Sequence, residues 1–193
     1  IDVYLNKTKS RVEEVRSLIR DIDEPMVKIN SRMCINPLCD EEYFVEHVKK
    51  ISNIDKFNII HGDNTFSNTI ADENSKIWFI DPRGVFGSTP IYGDRRYDYA
   101  KLYYSAYGNY DSINSKDYRI KLGKRNVDLE IKSNGYEEYA DLIIKRSGVP
   151  KAEIQLIHAC IWFALTGYVK EDYDAVLFAF YKGCQLWTEA VSD

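Results

Sequence analysis

Several common kinds of protein are excluded by what this chain lacks. It has only four cysteines: Cys34, Cys39, Cys160 and Cys184. Cys34 and Cys39 have no second Cys or His pair at zinc-finger spacing, and His47 is the only candidate nearby. Cys160 and Cys184 fall in apolar helical patterns and read as buried thiols acting as small hydrophobes. With no disulfide framework, the chain reads as cytoplasmic and reduced. Positive charge is not in excess. The net charge of −4 argues against a nucleic-acid surface. No apolar run reaches the ~18 residues a membrane span requires. Ile1-Asp2-Val3-Tyr4 leads straight into a charged segment without a signal-peptide pattern, and the absence of an initial Met makes residue 1 read as a domain boundary. There is no repeat, low-complexity tract or Pro/Gly-rich linker. A length of 193 residues suffices for one good core or two small ones.

Helical periodicity is plentiful. Residues 9 to 22 place Val12, Val15, Leu18, Ile19 and Ile22 on one face, closed by Pro25. A second helix is expected after Asp40, with Tyr43, Phe44, Val48 and Ile51 as its stripe. Thr69 to Ala71 and Lys76 to Ile80 read as two short strands joined by Asp72-Glu73-Asn74-Ser75, a turn sequence. Residues 81 to 96 hold Pro82, Gly84, Gly87, Pro90 and Gly93 and read as a long loop. Helix is expected again from Tyr97. Residues 108 to 135 carry no clear pattern. Three helices are expected at 136–147, 150–167 and 172–190, the last two with wide apolar faces. The fold class is therefore mainly α (α+β): a helical body with a small hairpin.

The hairpin carries the chemistry. His61-Gly62-Asp63-Asn64-Thr65-Phe66-Ser67-Asn68 leads into its first strand, and the second strand ends at Asp81. The return of the second strand brings Asp81 back beside the loop that holds Asp63 and Asn68. Phosphoryl transfer from a nucleotide requires such a set: a base that orients a hydroxyl, and oxygen ligands for magnesium. Magnesium favours hard oxygens and takes few protein ligands beside water and phosphate. Asn68 and Asp81 suit the metal, and Asp63 suits the base. A polar turn with capping side chains is the plainer account of the same residues.

His61-Gly62-Asp63, Asn68 and Ile80-Asp81 in this order resemble the core of the aminoglycoside phosphotransferase and choline kinase group, relatives of protein kinases. Tyr97-Asp98-Tyr99-Ala100-Lys101-Leu102 is similar to that group's Tyr-Asp-Leu-Ala helix start. The resemblance spans residues 40 to 110 by motif. It implies Asp63 as catalytic base, Asn68 and Asp81 as Mg2+ ligands, ATP or GTP as donor, and a sugar or amino alcohol as hydroxyl acceptor. His61 matches a loop-supporting position, and Arg83 is a candidate for a phosphate or substrate contact; both stand as nucleotide-side candidates. Ile80-Asp81-Pro82-Arg83-Gly84 with Tyr92-Gly93-Asp94 looks like a bacterial subset associated with surface polysaccharides.

Two departures stand out. Asn64 replaces the group's Leu, and Pro82 stands where protein kinases have Phe. The larger departure is upstream. The 60 residues before the motif read as helices, with no Gly-rich loop and no strand Lys. The whole chain is thus expected to be one C-terminal lobe, its nucleotide-binding N-terminal lobe absent. An apolar patch near Pro25 to Cys39 is expected where that lobe would dock or where copies would self-associate. Rival readings are an inactive kinase-like binding module in a polysaccharide-synthesis protein, and a metal-dependent phosphohydrolase or nuclease.

Bland alternatives accompany the smaller features. Asp94, Arg95 and Arg96 read as a solvated, self-paired cluster. Asp98 reads as a cap or a holder of the loop. Tyr97, Tyr99, Tyr103, Tyr104, Tyr107 and Tyr110 read as packing, with an aromatic cage for a quaternary amine as the sharper option. Lys116 to Arg125 reads as a solvated basic surface.

Overall fold

Two long apolar helices form the centre of the protein because their sequences are apolar nearly all round. The computed structural model describes residues 1–192. In it, Lys151–Tyr168 and Tyr173–Ser192 pack against one another through Trp162, Phe163, Phe178 and Phe180, all fully buried. Gly183 makes their close approach possible, since a Cβ there would sit 2.6 Å from the Phe163 ring. Numbered in chain order, the helices are α1 (Lys7–Glu13), α2 (Glu41–Ser52), α3 (Arg95–Ala106), α4 (Asp111–Asn114), α5 (Ala140–Ser147), α6 (Lys151–Tyr168) and α7 (Tyr173–Ser192). The strands are β1 (Met26–Ile29), β2 (Arg32–Ile35), β3 (Asn58–Ile59), β4 (Thr69–Ala71), β5 (Ile77–Phe79), β6 (Val85–Phe86), β7 (Thr89–Pro90), β8 (Tyr92–Gly93), β9 (Tyr118–Leu122) and β10 (Val127–Ile131). The chain is mainly helical with small sheets, as its periodicity predicts. Among the described residues, no helix is long and apolar enough to cross a membrane.

α2 begins where Asp40 caps it, accepting a hydrogen bond from Tyr43 N at 3.0 Å. It buries Phe44, Val48 and Ile51, three members of the expected stripe. The expected helix over 9–22 is shorter. α1 ends at Glu13 and a 3-10 turn follows at Arg16–Leu18. Val12, Val15, Ile19 and Ile22 are all buried regardless, while Leu18 faces out. Spacings of three and four residues fit a 3-10 turn as well as an α-helix, so burial was predictable where geometry was not.

β9 and β10, from the stretch without a clear pattern, join β1 and β2, from a stretch expected to be helical, in one sheet. Its order is β2-β1-β10-β9, with β1 parallel to β10 and the other pairs antiparallel. It lies against α7, where Thr188 Oγ1 accepts from Ile35 N at 2.7 Å and Tyr118 meets Phe178 edge-on. This corrects two expectations. The residues before the motif are not all helical, because Met26–Ile35 is a β-hairpin. Nor is Pro25 to Cys39 a continuous exposed apolar patch: Val27, Ile29 and Cys34 are buried, while Pro25, Met26 and Met33 lie open. Apolar exposure is instead concentrated on β4–β5. Ile77, Trp78 and Phe79 are consecutive and exposed by 58%, 40% and 50%, with Ile70 and Ile80 beside them.

The Asp94–Arg96 cluster is self-paired but not solvated. Asp94 caps α3 and accepts from Arg96 and from the Tyr4 hydroxyl. Arg96 also reaches Glu153 at 2.7 Å and the Ile51 carbonyl at 2.8 Å. Asp94 and Arg96 are both buried, so the group joins the N-terminus, the end of α2 and the start of α6. Arg95 is exposed.

Candidate active site

The loop before β4 is held by α3. Asp98, in the first turn of that helix, accepts from His61 N and Gly62 N, each at 2.8 Å. Asn64 Nδ2 donates to the Asp98 carbonyl, and Phe66 N donates to Ser105 Oγ. Four bonds from one helix thus fix the loop's path, and Asp98 acts as its holder. Burial raises the Asp98 carboxyl above its ordinary range, although both backbone N–H groups act against that.

His61 braces the same loop to the hairpin. Its Nδ1 accepts from Asp63 N at 3.2 Å, so Nε2 carries the proton and donates to the Ile80 carbonyl at 3.0 Å. Both ring nitrogens are committed, which leaves neither for a nucleotide. Gly62 takes φ +77°, and a Cβ there would sit 3.1 Å from Arg83 Cβ. The close approach is sealed by Arg83 N donating to the His61 carbonyl.

Asp63 points into a cavity of about 390 Å³. Its Oδ1 meets Lys101 Nζ at 2.8 Å, and its Oδ2 has a long 3.4 Å contact with Asn68 Nδ2. Burial raises the Asp63 carboxyl, but the charge and hydrogen bond of Lys101, with Arg83 behind it, outweigh burial and hold it below its usual value. Asn68 Nδ2 donates chiefly to the Asp63 carbonyl at 2.8 Å, which reserves its oxygen as an acceptor. Ile80 N donates to the Asn68 carbonyl at 2.9 Å, so Asp81 follows directly on the bonded pair. Asp81 is exposed, takes φ 55°, and has no ion pair or hydrogen bond among the described residues. Asp63, Asn68 and the backbone entering Asp81 therefore share one scaffold.

Asn68 Oδ1 and the Asp81 carboxylate are both hard oxygens, the ligand chemistry that magnesium takes beside water and phosphate. Among the described residues there is no group of three or more His, Cys, Asp or Glu side chains that could hold a metal by themselves. Any ion here would depend on oxygens from a substrate.

The remaining cavity walls come from residues the motif did not single out. Lys7 and Arg11 of α1, Tyr97, Lys101 and Tyr104 of α3, and Tyr168 at the end of α6 face the space with Asp63 and Arg83. Lys101 is buried and lies 5.0 Å above the Tyr104 ring. It shares a helix face with Tyr97 and Tyr104, at spacings of four and three. A lysine inside an apolar stripe was the available signal. The other tyrosines pack as expected: Tyr103 and Tyr107 lie against one another and against His158. Lys116–Arg125 lies partly in β9, away from this cavity.

The cavity is electrically positive. Burial would raise the Tyr97 phenol, yet Lys101, Arg83 and Lys7 together hold it below its ordinary value. Burial lowers the Lys7 ammonium, and the neighbouring Arg83, Lys101 and Arg11 charges lower it further. No family model, curated protein or solved structure matches this chain, so the site's geometry and the motif order carry the functional reading.

Proposed function

We propose that this chain is the C-terminal lobe of a magnesium-dependent phosphotransferase that moves the terminal phosphoryl of ATP or GTP to a hydroxyl of a small molecule. The observation that carries this reading is the shared scaffold: Asp63 opens into a cavity while Asn68 and the entry to Asp81 are hydrogen-bonded behind it. Lys101 occupies one Asp63 oxygen, and the other is left to accept a hydrogen bond from the acceptor hydroxyl. A carboxylate held below its usual pKa is a weak base. It orients the hydroxyl rather than stripping it early, which suits a loose transition state. Magnesium, when bound, neutralises charge on the phosphate oxygens. Asn68 and Asp81 would hold it.

The exposed hairpin supports the two-lobe reading. A nucleotide in a kinase-like cleft is enclosed by a second lobe, and the open apolar face of β4–β5 adjoins the metal-side residues. That face takes the place of the patch expected at Pro25 to Cys39.

The test uses the full-length protein with magnesium and ATP. Asp81→Asn is expected to weaken magnesium-dependent nucleotide binding. Asp63→Asn is expected to keep that binding and lose transfer. Equal loss of binding in both would overturn the division of roles. Binding without any transfer by the wild type would favour the inactive binding module.

A further inference from the structure

We infer that the acceptor is itself anionic: a hydroxylated molecule, of the sugar or polyol class, carrying a phosphate monoester that Lys7 and Arg83 hold inside the cavity. The inference rests on Asp63 being the group that faces the reacting hydroxyl.

The charge count points to a phosphate. Four cations line the cavity against one carboxylate. Lys101 is matched by Asp63 at 2.8 Å, and Arg11 by Glu14 at 3.6 Å. Lys7 and Arg83 have no carboxylate within ion-pair distance among the described residues. Arg83 is instead held by the Tyr97 hydroxyl, which accepts from its Nη1 at 3.1 Å. Two positive charges are left over. A phosphate monoester carries about −1.5 to −2 near neutral pH, so it matches that surplus. Arg is suited to it as a fork and Lys as a point charge.

The same wall argues against other acceptors. A cationic amine would face four cations, and the one carboxylate in the lining is already paired with Lys101. A neutral sugar requires amide and hydroxyl partners, and the described lining has no Asn, Gln, Ser or Thr. Its uncharged polar groups are tyrosines, with Tyr104 and Tyr110 stacked at 4.2 Å between ring centres. The cavity volume of about 390 Å³ is within the about 300–1,000 Å³ of small-molecule sites.

The anion belongs to the acceptor rather than the donor because of placement. Asn68, Asp81 and His61 do not line the cavity, whereas Asp63 does. Asp63 thus separates a metal side, on the hairpin, from an anion side between α1, α3 and α6. Gly167 keeps that side narrow: a Cβ there would sit 2.6 Å from the Arg11 carbonyl oxygen, so α1 lies directly on α6.

The experiment is calorimetric titration of the full chain, without nucleotide or metal, against hexose 1- and 6-phosphates, the parent hexoses, inorganic phosphate and kanamycin. At least one hexose phosphate is expected to bind about tenfold or more tightly than its hexose and than inorganic phosphate. Lys7→Gln and Arg83→Gln should each weaken it about tenfold, Lys7→Arg should retain it, and rising salt should weaken it. Preference for kanamycin, equal binding of hexose and hexose phosphate, or no binding of any hexose phosphate at 10 mM (on the order of the weakest useful site) would overturn the inference. Competition by ATP without metal at the same affinity would also overturn it, by assigning the cavity to the donor. The kinase reading fails separately, through loss of the distinction between Asp63→Asn and Asp81→Asn in magnesium–nucleotide binding.

Discussion

Replacing Lys101 by Met removes one charge while keeping an unbranched side chain of similar length. Lys101 is 8% exposed at the side chain and Asp63 is 32% exposed. The variant therefore strands a carboxylate that water reaches only in part. The long 3.4 Å contact to Asn68 does little to compensate. Removing one member of a fully buried pair costs about 3–5 kcal/mol. Partial exposure of Asp63 reduces this to about 1–3 kcal/mol at neutral pH. The pH dependence separates charge from packing. In the wild type, burial is outweighed by Lys101 and the Asp63 carboxyl lies below its ordinary value. The pair's stabilisation is then complete above the unfolded carboxyl pKa of about 3.9 and is lost as pH falls through the lower folded value. In Lys101→Met, burial is opposed only by the Arg83 and His61 charges. The folded pKa then lies above that of the wild type, and the difference fades as acid protonates Asp63. Urea unfolding of both proteins between pH 7 and pH 3 should show the difference shrinking as pH falls. A loss of the same size at every pH would refute the electrostatic account and leave only packing. The double-mutant cycle with Asp63→Asn should give a coupling of about 1–3 kcal/mol.

Three further outcomes are expected. Asp98→Ala should leave the His61 and Gly62 amides without an acceptor, costing about 2–4 kcal/mol, and hydrogen exchange at those two amides should quicken ahead of the rest of α3. Gly167→Ala should drive a methyl against the Arg11 carbonyl and cost about 1–3 kcal/mol by thermal unfolding; unchanged stability would show that α1 can move freely off α6. His158 is fully buried, and burial foremost, with the Lys182 and Lys101 charges, holds it neutral well below its ordinary value. Its unfolded form takes up a proton first, so stability should begin to fall as pH drops through about 6.5. His158→Gln, which can still accept from Trp162 Nε1, should flatten that slope.

The parts of the fold legible in the sequence are those whose signals are local. α2 was marked by Asp40 and its stripe, and β4–β5 by the Asp72 turn, whose carboxylate accepts from Asn74 N and Lys76 N. The four-stranded sheet was illegible because β1 pairs with β10 across about a hundred residues, and no short window contains both. Within the site, the bonds from Asn68 to the Asp63 carbonyl and from Ile80 to the Asn68 carbonyl could be expected because a hairpin returns on itself. Lys7 and Arg11 could not, since their place depends on α1 lying against Gly167 of α6. Lys101 falls between: its helix face was readable, but the carboxylate facing it was not. Asp94 and Arg96 read as surface charges because burial of a charge depends on distant partners, here Tyr4 and Glu153.

The left-handed backbone at Asp81 affects how substitutions there should be interpreted. With φ at 55°, this position tolerates Asp, Asn or Gly far better than other residues. Alanine would remove the carboxylate and also penalise the turn by about 1–2 kcal/mol. That strain would be felt by Ile80 and Arg83, the two neighbours bonded to Asn68 and His61. An alanine scan would therefore overstate the importance of this side chain, attributing to lost charge what belongs to a disturbed loop. Asparagine removes only the charge and keeps the turn, while glycine removes the side chain and relaxes the turn. Aspartate measured against asparagine isolates the charge, and alanine measured against glycine reads the backbone penalty.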